Sequence, residues 1–502
     1  MIPTSPSTFA IYLIPLSLGL WAITALTRNL YRSFCGPLSD IPGPKWRKFT
    51  NLPHLYSMWM GREATDVAKL HQKYGDTVRL APDLIAFLGE GDLWKDIYAS
   101  KANGVCKFRK DRLYYDVPVN NIPGPVSAQC EAAGRMRKTM APAWSDQGLR
   151  QHETRFKGWC KALEYRLGIQ ASQDMPTDMV KMFNCKGTTF DIMSDMLLSE
   201  PLHMLEKGEY APLVSLVFWL LKYVTRLKTF RYFSRTYGPK LRGLIMKIPA
   251  IGRIAREHHH SVTDRVDERM AKEPEQPDIW SLVTANTSTA SLISTQERYS
   301  IANELMMAGT ETTATTLSGI MYNLLQNPQW MSTLCEHLRS QFADIESLNM
   351  AALQGDKLLN AVIKEGLRMY PPIPVGFPRE VPDEGCTIKG HFFPPGNRLA
   401  IYNYATYSSE KRFREPRVFH PERWMGDEKF KDDRVDSFEP FSVGLRACSA
   451  QNFAWHEMRL ILATVLLNFE FELRPESTNW AEQKTYIVWE KVPLQVNVRK
   501  RV

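Results

Sequence analysis

Apolar residues recur at helical spacing along most of this chain, and strand-like alternation is confined to short stretches. The pattern opens on an uncharged run. No charged residue stands between Met1 and Thr27, and Phe9 to Leu26 has about the length needed to cross a bilayer. Arg28 and Arg32 follow at once, which places that end in the cytosol. A cleaved signal peptide would start with basic residues, and none is present. Residues 1–27 are therefore expected to form an uncleaved membrane anchor. Residues 28–50 carry Ile41-Pro42-Gly43-Pro44 and the cations Lys45, Arg47 and Lys48. They read as a stiff basic hinge that can lie against anionic headgroups. Residues 51–502 form the body of the protein.

Within that body, Asp76 to Gly89 reads as a small hairpin around a Pro-Asp turn, and Trp94 to Tyr98 returns to helix. Val105 to Ala128, with Pro118, Pro123 and Pro125, predicts a long irregular loop, and such loops are often functional. Helix resumes near Glu131. Phe190 to Glu209 has helical spacing broken by Pro201, and Ala271 to Thr295 reads as a surface loop. A long helix is expected from Thr295 to about Gln326, and another from about Leu353 to Tyr370, ended by Pro371-Pro372. Cys386 to Tyr404 suits small strands around Pro394-Pro395-Gly396. Tyr486 to Trp489 and Leu494 to Val498 alternate as a final hairpin. The expected class is mainly α with small β-sheets.

Composition narrows the function. An apolar content of 44% supports a sizeable core. Eight cysteines are scattered with no C-x-x-C pair, which excludes a zinc ribbon or dithiol motif and points to a reducing compartment. The net charge of +9 matters less than its distribution. Residues 210–256 contain no acid and interleave Lys222, Arg226, Lys228, Arg231, Arg235, Lys240, Arg242 and Lys247 with aromatics. With no nucleic-acid motif beside it, the segment reads as an interfacial lid that dips into lipid. His258-His259-His260 point about 100° apart on a helix and cannot converge on one ion.

The candidate chemistry lies near the C-terminal end, in Phe441-Ser442-Val443-Gly444-Leu445-Arg446-Ala447-Cys448-Ser449-Ala450. Cys448 can serve as a thiolate ligand. Gly444 permits a turn that a Cβ would resist, Arg446 can meet a carboxylate, and a helix starting after Cys448 offers N–H groups to sulfur. A thiolate on haem iron favours O–O cleavage. Taken alone, Cys448 also fits an ordinary buried core cysteine. About 140 residues earlier stands Ala308-Gly309-Thr310-Glu311-Thr312-Thr313. Small residues and threonines are poor helix material, so a locally opened ladder is expected there. Gly309 lets a flat ligand approach the backbone. Glu311 beside Thr312 can relay the two protons that cleavage of dioxygen consumes. Glu365 and Arg368 share a helix face at i,i+3, and Arg423 in Pro421-Glu422-Arg423-Trp424 can join them.

These motifs, in this order, resemble the cytochrome P450 superfamily, and the likeness extends weakly from about Ile41. The resemblance is to fungal microsomal members of secondary metabolism. It implies that family's fold behind one transmembrane helix, and haem b with Cys448 as axial iron ligand. By the same resemblance Phe441, Gly444 and Gly309 border the haem, and Arg137, Arg379 and Arg446 neutralise its propionates. Thr312 and Glu311 deliver protons, while Glu365, Arg368 and Arg423 form a structural triad. Val375, Gly376 and Phe377 would line the pocket, and the 105–128 loop would cap it. The chain departs from the family pattern twice. Ala450 replaces the common Gly, and Ala133-x-x-x-Arg137 lacks the aromatic partner of the arginine. Arg135 and Lys138 can instead face an acidic redox partner.

The expected activity is insertion of one oxygen atom from O2 into an apolar small molecule, such as a polyketide or terpenoid. NADPH–cytochrome P450 reductase would supply electrons, since no Gly-x-Gly-x-x-Gly unit or flavin site is found. The protein would sit in the endoplasmic reticulum membrane as a single-pass protein, in contact with lipid, with its catalytic domain cytosolic and no nucleic-acid partner. A haem-thiolate isomerase or dehydratase that does not use O2, and a non-enzymatic haem carrier or sensor, remain as alternatives.

Overall fold

The computed structural model describes all residues except 1–5, 100–107, 116–119, 186–187, 208–211, 234–239, 241–243, 245–248, 286–291 and 502. The expected mainly helical body with small sheets is present. Its centre is the long helix Thr295–Gln326, started by a capping box in which Ser294 and Glu297 satisfy each other's backbone N–H groups. Most of its C-terminal half is buried. Around it pack Thr188–Leu198, Lys357–Met369, Pro249–Ala271 and Gln451–Asn468.

The threonine run does not open this helix. It continues unbroken while the hydroxyls of Thr310, Thr312, Thr313 and Thr316 donate to carbonyls four residues earlier, sharing those acceptors with the ladder. The helix expected over 353–370 is two helices, Met350–Gly355 and Lys357–Met369. Asp356 breaks the run by capping the second, its carboxylate accepting from the Leu359 N–H at 2.9 Å. The 271–295 stretch holds a short helix, Ile279–Thr284, capped by Asp278.

The main sheet runs in the order Thr77–Ala81, Leu84–Phe87, Arg398–Ile401, Arg379–Glu380, Arg109–Lys110. Its first pair is the expected hairpin. The second and third strands are parallel, and the others antiparallel. Lys110 pairs directly with Arg379, which sets two cations side by side. The tail is not one hairpin. Thr485–Tyr486 pairs with Val488–Trp489, while Gln495–Lys500 joins Phe469–Leu473 and Thr177–Asp178. Alternation marked these strands but carried no information about partners more than 300 residues away.

The uncharged N-terminal run lies on a helix, Pro6–Phe34, which continues past residue 27. The side chains of residues 6–12, 14, 18 and 32 fall outside the described set. Among described residues no helix is long and apolar enough to cross a membrane. The basic cluster after it is only partly free. Arg47 is buried against the carbonyls of Leu80 and Pro53, and Lys48 donates to Ser39 O at 2.7 Å, so Lys45 alone of the three is exposed. Ile41 is fully buried, which ties this stretch to the body. Much of 210–256 is outside the described residues, including Arg235, Arg242 and Lys247. Pro212–Phe233 is helical and packs on Leu52–Trp59. Cys130 is disulfide-bonded, while Cys35, Cys160, Cys335, Cys386 and Cys448 are free.

Candidate functional site

Two elements face each other across a cavity of about 280 Å³. One wall is the loop before the helix Gln451–Asn468 and contributes Phe441, Leu445, Arg446 and Cys448. The other is the long helix, with Ala308, Gly309 and Thr312. The loop is shaped by a positive φ of +75° at Gly444, where a Cβ would stand 2.6 Å from the Ala99 backbone. The Cys448 N–H donates to the Phe441 carbonyl at 2.8 Å, which closes the loop. Arg137, from the helix Cys130–Trp144, donates to the Ala447 carbonyl at 2.6 Å.

Cys448 is deep in the protein, and its accessible surface borders the cavity. Burial pushes its thiol up, while the Ala450 N–H and Arg137 oppose the shift. The helix onset thus supplies a donor to sulfur, as expected, and Ala450 takes the N-cap position.

The cavity is rich in cations and short of anions. The terminal nitrogens of Arg446 are buried without a hydrogen-bond partner. Burial and then Arg379 push Arg446 down to about 10. Arg379 donates to the Tyr115 hydroxyl at 2.7 Å and stacks on Tyr98, 4.8 Å from its centroid. Lys110 is pushed down to about 6 by burial, then by Arg446 and Arg379. Two guanidiniums and the Lys110 amine converge where a buried unpaired guanidinium is costly. A dianionic group would relieve all of them. With a sulfur donor on one wall and the long helix opposite, where the missing Gly309 side chain makes room for Met193, the residues fit a flat macrocycle bearing two carboxylates. Sequence reasoning missed Lys110 and Tyr115. Both sit in the irregular 105–128 stretch, and only pairing with the Arg379 strand brings Lys110 to the wall.

Thr312 lines the cavity and its hydroxyl donates to the Ala308 carbonyl at 2.8 Å. Glu311 does not line it. One residue on, the helix has turned by about 100°, and Glu311 is buried against Lys491, with Asn184 Nδ2 donating to it at 2.6 Å. The expected acid–alcohol pair is therefore split between two sides of the helix. Of the expected wall residues 375–377, only Phe377 borders the cavity. Val375 is in a neighbouring core cluster and Gly376 bridges to Tyr402. Arg135 pairs with Glu297 at 2.5 Å, an internal contact, whereas Lys138 is exposed. Ala133 lines the cavity where the family pattern has an aromatic.

Behind the cavity, Glu365, Arg368 and Arg423 meet as expected. Glu365 accepts from Arg368 Nε at 2.9 Å and Nη2 at 2.7 Å, and from Arg423 Nε at 3.2 Å. The His420 N–H (3.0 Å) and the Trp424 indole (2.9 Å) also donate to it. Burial raises the Glu365 pKa, but the two arginines and His420 outweigh it and leave it lowered. Arg368 also reaches the carbonyls of Tyr407 and Pro416, so the network is well satisfied.

A mainly helical body, a cysteine loop facing a glycine–threonine stretch and an orphaned guanidinium between them define a haem-thiolate protein. The cytochrome P450 family model matches residues 41–498, so the chain belongs to the cytochrome P450 family, whose iron carries a cysteine axial ligand. The chain is 38% identical to cytochrome P450 monooxygenase efuB of Hormonema carpetanum, over 99% of this chain and 96% of that one. It is 36% identical to monooxygenase lcsI of Purpureocillium lilacinum, covering 94% and 91%. Identity is also 36% to monooxygenase FUM2 of Gibberella moniliformis, covering 94% and 99%. The chain is an oxidoreductase of the monooxygenase type, with relatives from fungi.

Proposed function

We propose that this enzyme inserts one oxygen atom from O2, by hydroxylation or epoxidation, into an apolar small molecule of fungal secondary metabolism. Met136, Met140, Met193, Leu305, Phe377 and Met458 supply the apolar wall that such a substrate needs. A haem bound here would supply the activation of dioxygen. The observation that carries the reading is the Cys448 sulfur facing Gly309 and Thr312 across a cavity in which Arg446 has no anion.

In this reading the Cys448 sulfur would bind the haem iron, and Arg446, Arg379, Arg137 and Lys110 would hold the two carboxylates. Phe441 and Gly444 shape the ligand loop, and Gly309 lets Met193 pack against the long helix at the cavity wall. Thr312 Oγ1 holds a proton at the cavity wall. Glu311 reaches the cavity only after leaving Lys491. The Glu365, Arg368 and Arg423 network stiffens the structure behind the ligand loop. Residues 1–27 anchor the protein in the endoplasmic reticulum membrane, 28–50 form the hinge and 51–502 the cytosolic catalytic domain. Exposed Trp46, Tyr56 and Phe233 can meet lipid. Two electrons per turnover come from NADPH through a separate reductase.

The test is the difference spectrum of the reduced protein with carbon monoxide, beside Cys448→Ser. A strongly red-shifted Soret band in the parent and its loss in the variant are expected. Haem bound in the parent without that shift would exclude thiolate ligation and with it this chemistry.

A further inference from the structure

The long helix sets Gln296, Ser300, Glu304, Ala308 and Thr312 at four-residue intervals, a stripe that winds by about 40° per step, so neighbours along it lie side by side. Ala308 and Thr312 border the cavity. The other three hold segment 120–128, whose Pro125 and Val126 form part of the cavity wall. Asn120 Nδ2 donates to the Gln296 carbonyl (3.2 Å) and to Ser300 Oγ (3.0 Å), and Ser300 Oγ donates to the Ile122 carbonyl (2.8 Å). Glu304 then accepts from the Val126 N–H and from the Ser127 hydroxyl, both at 2.5 Å. Lys110 donates to the Val126 carbonyl from the other side. Val126 is thus gripped by a carboxylate at its N–H and by the Lys110 amine at its carbonyl. Gly124 makes the close approach possible, since a Cβ there would lie 2.6 Å from the Glu304 carboxylate.

We propose that Glu304 is a positioning residue that fastens segment 120–128 over the cavity and thereby sets the size of molecule the cavity admits. The segment has little other regular structure, so these bonds decide how often it opens. Charge-assisted bonds are the stronger kind, and Glu304 makes two of them at adjacent residues. Burial raises the Glu304 pKa, opposed first by Ser127 and the Val126 N–H, and then by Lys110. The proposal rests on reading the cavity as the haem and substrate site.

Ferric holoenzyme is compared as parent, Glu304→Gln and Ser127→Ala. Amide hydrogen exchange of the 120–128 peptide is measured beside optical binding rates of imidazole and of 4-phenylimidazole. Expected are at least about tenfold faster exchange in both variants, and 4-phenylimidazole binding accelerated several-fold more than imidazole binding. Exchange at the parent rate overturns the proposal, as does equal acceleration of the two ligands, which marks general loosening. If Glu304→Gln does not fold, Ser127→Ala decides by the same two criteria. The exchange measurement needs no ligand chemistry, so failure of the haem reading would show as missing imidazole spectra while the exchange result still stands.

Discussion

Arg446 is a side chain whose surroundings call for an anion, because its terminal nitrogens are buried without a hydrogen-bond partner. Arg446→Ala is expected to speed haem loss by about tenfold or more, the size of a lost charge-assisted bond. Transfer of haem to excess apomyoglobin measures it, and an unchanged rate would place the propionates elsewhere. Glu457 makes a different prediction. It is fully buried, neither carboxylate oxygen has a bonded partner, and burial pushes its pKa up to about 8 from 4.5. Thr313 offsets this a little, although its hydroxyl is turned to the Gly309 carbonyl. The native state keeps a proton that the unfolded chain releases. Its contribution to stability is full below about pH 4.5 and is lost as pH rises through about 8. Glu457→Gln should therefore melt progressively above the parent between pH 5 and 8, and parallel melting curves would refute this. Cys448 and Thr312, which both line the cavity, were legible through the resemblance of the ordered motifs. The direction of Glu311 was not, since one helical step decides which side it faces.

At the scale of elements, the long helix was readable to its ends because period and capping box agree. The split at Asp356 was not, because an apolar pattern runs through both helices and only a cap separates them. Partner choice among the C-terminal strands was also hidden, being set by chain closure and not by local pattern. The joint between the long helix and the C-terminal region is the buried pair Glu311 and Lys491, with Lys491 also donating to Thr315 at 2.7 Å. Lys491→Met strands a buried carboxylate and should cost about 3–5 kcal/mol. Adding Glu311→Gln should recover most of that loss. Denaturant unfolding of the holoenzyme measures both, and strictly additive effects would show that the pair is not coupled.

Over the whole molecule, the Glu365 network ties the helix Lys357–Met369 to the segments at Tyr407, Arg414, Pro416 and Trp424. Arg423→Ala leaves Glu365 and Asp433 with less charge compensation and should lower global stability by about 3 kcal/mol or more. A urea midpoint unchanged from the parent would make the network dispensable. The assembly also constrains how the protein is made. Lys110 and Arg137 leave the ribosome early, but the sulfur and guanidinium that complete their pocket lie at 446–448. The last strand, Gln495–Lys500, closes against Thr177–Asp178 later still. On the ligand assignment proposed above, the growing chain would gain the sulfur and the Arg446 guanidinium only after the other carboxylate-holding residues had emerged. Haem would then select for chains in which the 446–448 loop has already met the early cations.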